Sequence, residues 1–173
     1  MTIDRPNEAE FPAFYLGYVN TLPAAGPVAA LEAQVAVFEK LAAKSEAKGD
    51  HRYAEGKWTV KEVVGHMADT ERVFAYRLLR IARHDATPLA GFDENAWASV
   101  APHARRPLED VVGEMLAVRG ATLPLIYSLD AEALTRSGTA NGKPVSARAL
   151  CWILPGHAEH HLGVLRERYG LNI

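Results

Sequence analysis

Residues 59–83 read Thr59-Val-Lys-Glu-Val-Val-Gly-His-Met-Ala-Asp-Thr-Glu-Arg-Val-Phe-Ala-Tyr-Arg-Leu-Leu-Arg-Ile-Ala-Arg83. Val60, Val64, Met67, Phe74 and Leu78 recur at three- and four-residue intervals, which puts them on one side of a 3.6-residue helix. Thr59 and Glu62 have the spacing of a capping box, in which each side chain satisfies a backbone N–H of the first turn. The stretch therefore predicts a long amphipathic helix whose apolar stripe needs a partner.

Three further segments supply partners. The first runs from about Pro27 to Lys48, with Val28, Leu31, Val35, Val37, Phe38 and Leu41 at helical spacing and Gly49 placed to end it. Another is opened by Pro107, with Glu109 and Asp110 at the positive end of the dipole, and extends to about Leu129; Pro124 should bend it or end it early. The last is capped by Ser146, carries Leu150, Ile153, Leu154, Val164 and Leu165, and stops at Gly170, with a kink expected at Pro155. A polar connection from Ala86 to Arg106 holds room for one helical turn at Asp93 to Trp97, and residues 137–144 read as a turn cluster. No segment alternates with period two over a useful length. The expectation is an all-α four-helix bundle with an irregular N-terminal lead-in and a long connection between its second and third helices.

Composition narrows the function classes. The chain has 173 residues, 49% of them apolar and 23% charged, which predicts one domain spanning residues 1–173 with a full core. Nineteen Lys and Arg against twenty-one Asp and Glu give a net charge of −2, so no positive field attracts a phosphate backbone, and a nucleic-acid partner is not expected. The uncharged stretch from Phe11 to Leu31 is broken by Pro12, Pro23 and Pro27 and reads as neither signal peptide nor membrane span, leaving the cytoplasm as the expected compartment. The single cysteine, Cys151, has no partner for a disulfide or a thiolate zinc site, so any metal must be held by His and carboxylate.

Seven histidines are available, three of them in the run Gly156-His-Ala-Glu-His-His-Leu162. With Leu150 set at zero on a helical wheel, His157 falls near about −20° and His161 near about +20°, inside the apolar stripe. Two imidazoles four residues apart can reach one ion at roughly 2.1 Å. Both can equally be core histidines bonded to neighbours, although paired neutral imidazoles in an apolar stripe are costly unless something takes their lone pairs. His160 lies about 80° off the stripe, at the rim, yet its adjacency leaves His157 with His160 as an alternative register. His66 is the candidate third ligand, though it sits about 120° from the centre of its own apolar stripe, on a face shared with Thr70 and Val73.

The segment from Tyr53 to Arg77, followed by Gly91-Phe-Asp-Glu-Asn-Ala-Trp97 and the final His157-x-x-x-His161, resembles the DinB/YfiT-like family. The resemblance extends from about Phe14 to Tyr169. It implies a four-helix bundle, frequently homodimeric, in which one histidine of the second helix and an H-x-x-x-H pair of the fourth bind a divalent metal. Those positions are His66, His157 and His161 here. Nickel or zinc is the implied ion, with iron or manganese as alternatives. Low-molecular-weight thiols are implied as co-substrates in some relatives.

Three imidazoles leave at least one coordination position free, the pattern of a catalytic site. Such an ion lowers the pKa of bound water toward about 7 or holds a thiolate. The expected activity is that of a metal-dependent transferase or hydrolase acting on a small molecule. A noncatalytic metal- or ligand-binding stress-response protein is the alternative. Asp69, one turn beyond His66, is a candidate acceptor behind the ligand or a simple ion-pair partner of Arg72. Glu71 falls inside the apolar stripe, which calls for an arginine across the bundle. Trp58, Tyr53 and Trp97 are candidate cleft walls or plain core. No charge arrangement marks Cys151 as a nucleophile. Metal occupancy should fall below about pH 6, where free imidazoles protonate.

Overall fold

The computed structural model describes residues 1–173. In chain order its elements are α1 (Leu16–Thr21), α2 (Gly26–Ala42), α3 (Glu46–Gly49), α4 (Val60–Ala82), α5 (Glu94–Val100), α6 (Leu108–Tyr127), α7 (Ala131–Thr135), β1 (Ser137–Ala140), β2 (Lys143–Ser146) and α8 (Ala147–Glu167). The four long helices form a bundle in which α4 packs on α6 and α8, and α2 packs on the same two. Helices α2 and α4 thus lie across a diagonal, as do α6 and α8. Chain-consecutive helices that are not neighbours need long links, and these hold α3 in one case and α7 with the β1–β2 hairpin in the other.

Two predicted caps are present. Thr59 Oγ1 accepts from the Glu62 N–H at 3.2 Å while Glu62 takes the Thr59 N–H, and Ser146 Oγ accepts from Ala149 N–H at 2.9 Å. The predicted turn in the connection is α5, capped by Asp93.

Other expectations need correction. The first predicted helix does not run to Lys48: α2 ends at Ala42, and Ser45 turns extended before α3. The redirection has a tertiary cause. It brings Glu46 to the buried Lys61 ammonium and to the Leu108 N–H at 3.0 Å, so a distant carboxylate caps α6, whose Pro107 has no side-chain acceptor. Pro124 does not end α6 early, since the helix runs on to Tyr127, and α8 is continuous through Pro155. The turn cluster at 137–144 is an antiparallel hairpin. Its two-residue loop is Asn141-Gly142, with φ of 51° and 69°, as a type I′ turn requires. The N-terminal lead-in is less irregular than expected, because α1 packs on α8. Gly156 makes this approach possible: a Cβ there would overlap the Tyr18 carbonyl.

The apolar core is split into two clusters. One gathers Phe74, Leu78, Leu150, Ile153 and Tyr15; the other gathers Phe38, Val64, Met67, Met115 and Leu162. Between them, at mid-height, each long helix contributes a buried polar side chain: Gln34, Glu71, Arg119 and His157. Arg119 is fully buried, donates to both Glu71 oxygens at 2.8 Å, and also reaches the Leu31 carbonyl and Gln34 Oε1. Gln34 passes the network to α8 through the Pro155 carbonyl and Glu159. The arginine expected opposite Glu71 is thus Arg119. No single helix is long and apolar enough to cross a membrane; α1 with its lead-in and α2 pass that test together but are bent by 65°.

Candidate metal centre

The polar layer opens to the surface on the side where α4 faces α8. His66 enters from α4, and His157 and His161 from α8, where their four-residue spacing stacks them on one face. His157 Nε2 lies 3.1 Å from His66 Nε2 and 3.1 Å from His161 Nε2, and one ligand atom from each of the three falls within 4.8 Å of the others. Bonds of about 2.1 Å meeting at right to tetrahedral angles span roughly 3.0–3.4 Å between nitrogens, so these gaps suit ligands of one ion.

Electrostatics favours the same use. Burial drives the His66 imidazole down to about 4 and His161 down to about 3, and holds the buried His157 well below the ordinary value, with the neighbouring imidazoles adding to the shift for the α8 pair. All three are therefore neutral at pH 7. A neutral Nε2 has one hydrogen or one lone pair to offer, so His157 cannot be matched equally to both neighbours by hydrogen bonding alone. A cation at the meeting point takes all three lone pairs, and on this ground the residues fit a divalent ion.

The site lies at the base of a cleft of about 330 Å³. Aromatic rings form much of its wall. Trp58 is 4.9 Å from the His66 ring, Tyr18 is 5.5 Å from His157, and Phe74 is 5.9 Å from His157. Phe14, Tyr15 and Phe92 continue the wall, and Thr70, Arg77, Glu94, Asn95 and Asn141 supply its polar points. Glu94, the one carboxylate in the lining, raises the His66 and Tyr18 pKa values by its charge, in each case a smaller effect than burial.

The other sequence candidates divide clearly. Asp69 bonds Arg72 Nη1 at 3.2 Å and His103 Nε2 at 3.0 Å, while the His66 Nδ1 faces Thr70 Oγ1 at 3.5 Å. His160 is exposed, its ring 5.1 Å from His161, outside the trio. Trp58 is a cleft wall. Trp97 stacks at 4.7 Å on Phe92 beside the cleft, and Tyr53 packs on Tyr169 elsewhere. Cys151 is buried, which pushes its thiol up to about 12. Tyr18, Phe92, Glu94, Asn141 and Arg77 were not singled out from the sequence. For Arg77 a signal existed, because the His66 and Thr70 face of α4 continues to it at helical spacing.

A family model described as the DinB superfamily matches residues 29–165. Among curated proteins, one from Oceanobacillus iheyensis named "Putative metal-dependent hydrolase" is 30% identical over 117 residues. That match spans 66% of each chain, just under two thirds of the relative's length. One from Bacillus pumilus with the same name is 25% identical over 126 residues, 71% of each chain. Among solved structures, YfiT from Bacillus subtilis superposes with a TM-score of 0.68 at 17% identity, covering 98% of this chain and 95% of that one. It is described as "a probable metal-dependent hydrolase with an unusual four-helix bundle topology".

Proposed function

This chain belongs to the DinB superfamily, and we propose that it is a metal-dependent hydrolase of a small molecule, with His66, His157 and His161 as the ligands of one zinc or nickel ion. The observation that carries the reading is the convergence of three neutral imidazole nitrogens, 3.1 Å apart in two of their pairs, at the base of an aromatic-walled cleft. The names of the two curated relatives support the reaction class.

A divalent ion held by three imidazoles supplies a Lewis acid with an open position and acidifies a water there toward about pKa 7. The chain's own groups do the rest. Burial keeps the imidazoles unprotonated and their lone pairs available. The Arg119–Glu71 network fixes α4 against α6 and ties in α2 and α8, so the ligands approach the site from helices that cannot slide. Trp58, Tyr18 and Phe74 exclude bulk water from the ligand face and hold apolar substrate surface. Glu94 is the one carboxylate in the cleft lining, and in this reading it takes the proton from the nucleophile.

The test is elemental analysis of untagged protein purified without chelators, followed by a screen of ester, amide and thioester hydrolysis with and without added low-molecular-weight thiol. About one zinc or nickel per chain with thiol-independent turnover is the expected result. Turnover only with thiol would replace hydrolysis by thiol transfer at the same site. One metal per chain without turnover in either screen would favour a noncatalytic binding protein, and absence of uptake would make the three histidines structural.

A further inference from the structure

Two arginines of the bundle are almost fully buried, and they differ in what faces them. Arg119 is met by both oxygens of Glu71, the Leu31 carbonyl and Gln34. Arg77 is 3% exposed and forms no ion pair with a carboxylate. Its Nη2 donates to the Ala90 carbonyl at 2.6 Å, the neutral Tyr15 hydroxyl lies beside the guanidinium, and its Nε has no partner. The guanidinium carbon lies 5.8 Å from the Phe74 ring centroid and 5.9 Å from that of Phe92. An enclosed charge with no counter-charge is costly, and such charges persist where a ligand supplies the missing partner.

The position of Arg77 says which ligand. It lines the same cleft as the three histidines, and the Phe74 ring centroid lies 5.8 Å from the guanidinium carbon and 5.9 Å from the centroid of the His157 ring. We propose that Arg77 seats the anionic group of the substrate: the cleft takes a small monoanionic carboxylate with an apolar middle about the size of one aromatic ring. Its carboxylate pairs with the Arg77 guanidinium, its middle lies among Tyr15, Phe74 and Phe92, and its far end is presented to His66, His157 and His161. One cation balances one negative charge, whereas Glu94 in the same lining opposes a dianion, which favours a carboxylate over a phosphate. The small cleft suits a compact acid and not an extended chain. The inference rests on reading the three-His cleft as a substrate site.

The experiment is calorimetric titration of chelator-treated, metal-free protein with a series of phenylalkanoates of two to four chain carbons, their uncharged amides, and 2-phenylethyl phosphate. Without metal, an anion cannot be held by an ion, so the Arg77 contribution is read alone. The best carboxylate should bind at least about tenfold more tightly than its amide and than the phosphate. Arg77→Met should remove that preference, weakening the carboxylate far more than the amide. Equal binding of carboxylate and amide by the wild-type protein, a preference that survives Arg77→Met, tighter binding of the phosphate, or no binding of any carboxylate would each overturn the proposal. If Arg77→Met does not fold, the wild-type carboxylate and amide pair decides alone. Metal uptake is measured on separate aliquots. Arg77-dependent binding by protein that takes up no zinc or nickel overturns the metal reading and not this one, and the reverse result overturns this one only.

Discussion

Gly65 lies directly beneath the His103 imidazole, and a Cβ at residue 65 would overlap the ring. The contact docks the segment after α5 onto α4 one residue before His66, and His103 secures it by bonding Asp69 at 3.0 Å. Gly65→Ala should therefore destabilise the fold although alanine is the better helix former by about 1 kcal/mol, because overpacking against a ring costs about 1–3 kcal/mol. His103→Ala in the same chain should recover most of the loss. Urea denaturation of the two single variants and the double variant measures this, and a Gly65→Ala protein as stable as wild type would show that the ring does not sit there.

The mid-height network should be strongly coupled. Arg119→Met leaves Glu71 buried without a partner, at a cost of about 3–5 kcal/mol. Replacing Glu71 with Met as well removes the uncompensated charge, and the double variant should be more stable than Arg119→Met alone. Equilibrium denaturation checks the order, and additive losses would mean that the two side chains are not coupled as their two mutual hydrogen bonds describe.

Most of the bundle was legible in the sequence because its signals are local. The Thr59–Glu62 box, the Ser146 cap and the apolar stripes each depend on residues within a few turns. The failures share one feature, dependence on a distant partner. The break after Ala42 serves Lys61 and the α6 N-terminus, and α1 is a helix because Gly156 lets it lie against α8. The hairpin is the exception, since Asn141-Gly142 was a readable type I′ signal hidden by strands of four residues each. At the site, His157 and His161 were placed by their stripe. His66 needed a resemblance, because it lies off its own stripe and faces α8 at an opening of the core. The cleft walls come from α1, α4, the α5 connection and the hairpin, and no periodicity within one helix predicts their meeting.

Histidine substitutions should separate ligands from bystanders. His161→Ala is expected to cut bound zinc or nickel steeply, because two imidazoles replace three, whereas His160→Ala should leave stoichiometry unchanged, its ring being exposed and outside the trio. Metal content of the two purified variants decides. Full occupancy in His161→Ala, or loss in His160→Ala, would mean that the register of the pair is wrong.

Cys151 should be inert in the native state. Its thiol is buried and pushed up to about 12, so thiolate is scarce at pH 8 and the sulfur is unreachable. A thiol reagent should label the folded protein no faster than global unfolding exposes it, and full labelling in denaturant supplies the reference. Rapid native labelling would contradict the packing of α8.

The buried imidazoles set the acid response of the metal-free protein. His66 and His161 are held at about 4 and about 3 in the fold, against about 6.5 in an unfolded chain, with burial as the first cause. As pH falls below 6.5 the unfolded state takes up protons that the folded state refuses. Stability is then unaffected above about pH 6.5 and declines toward pH 4 and below. His66 alone accounts for roughly 3 kcal/mol when the window has been crossed. The same refusal protects bound metal, so its loss should fall at lower pH than the value near 6 expected for exposed histidines. Denaturation midpoints of metal-free and zinc-loaded protein at pH 7.5, 6 and 5 test both statements. The metal-free midpoint should drop across the series; the zinc-loaded one should drop at least as much, because neither folded form takes protons at these imidazoles above pH 5, yet it should stay above the metal-free midpoint at pH 5 if the ion is still held. A flat metal-free profile would mean that the three imidazoles are open to water in solution, and the case for a dry, neutral ligand set would go with it.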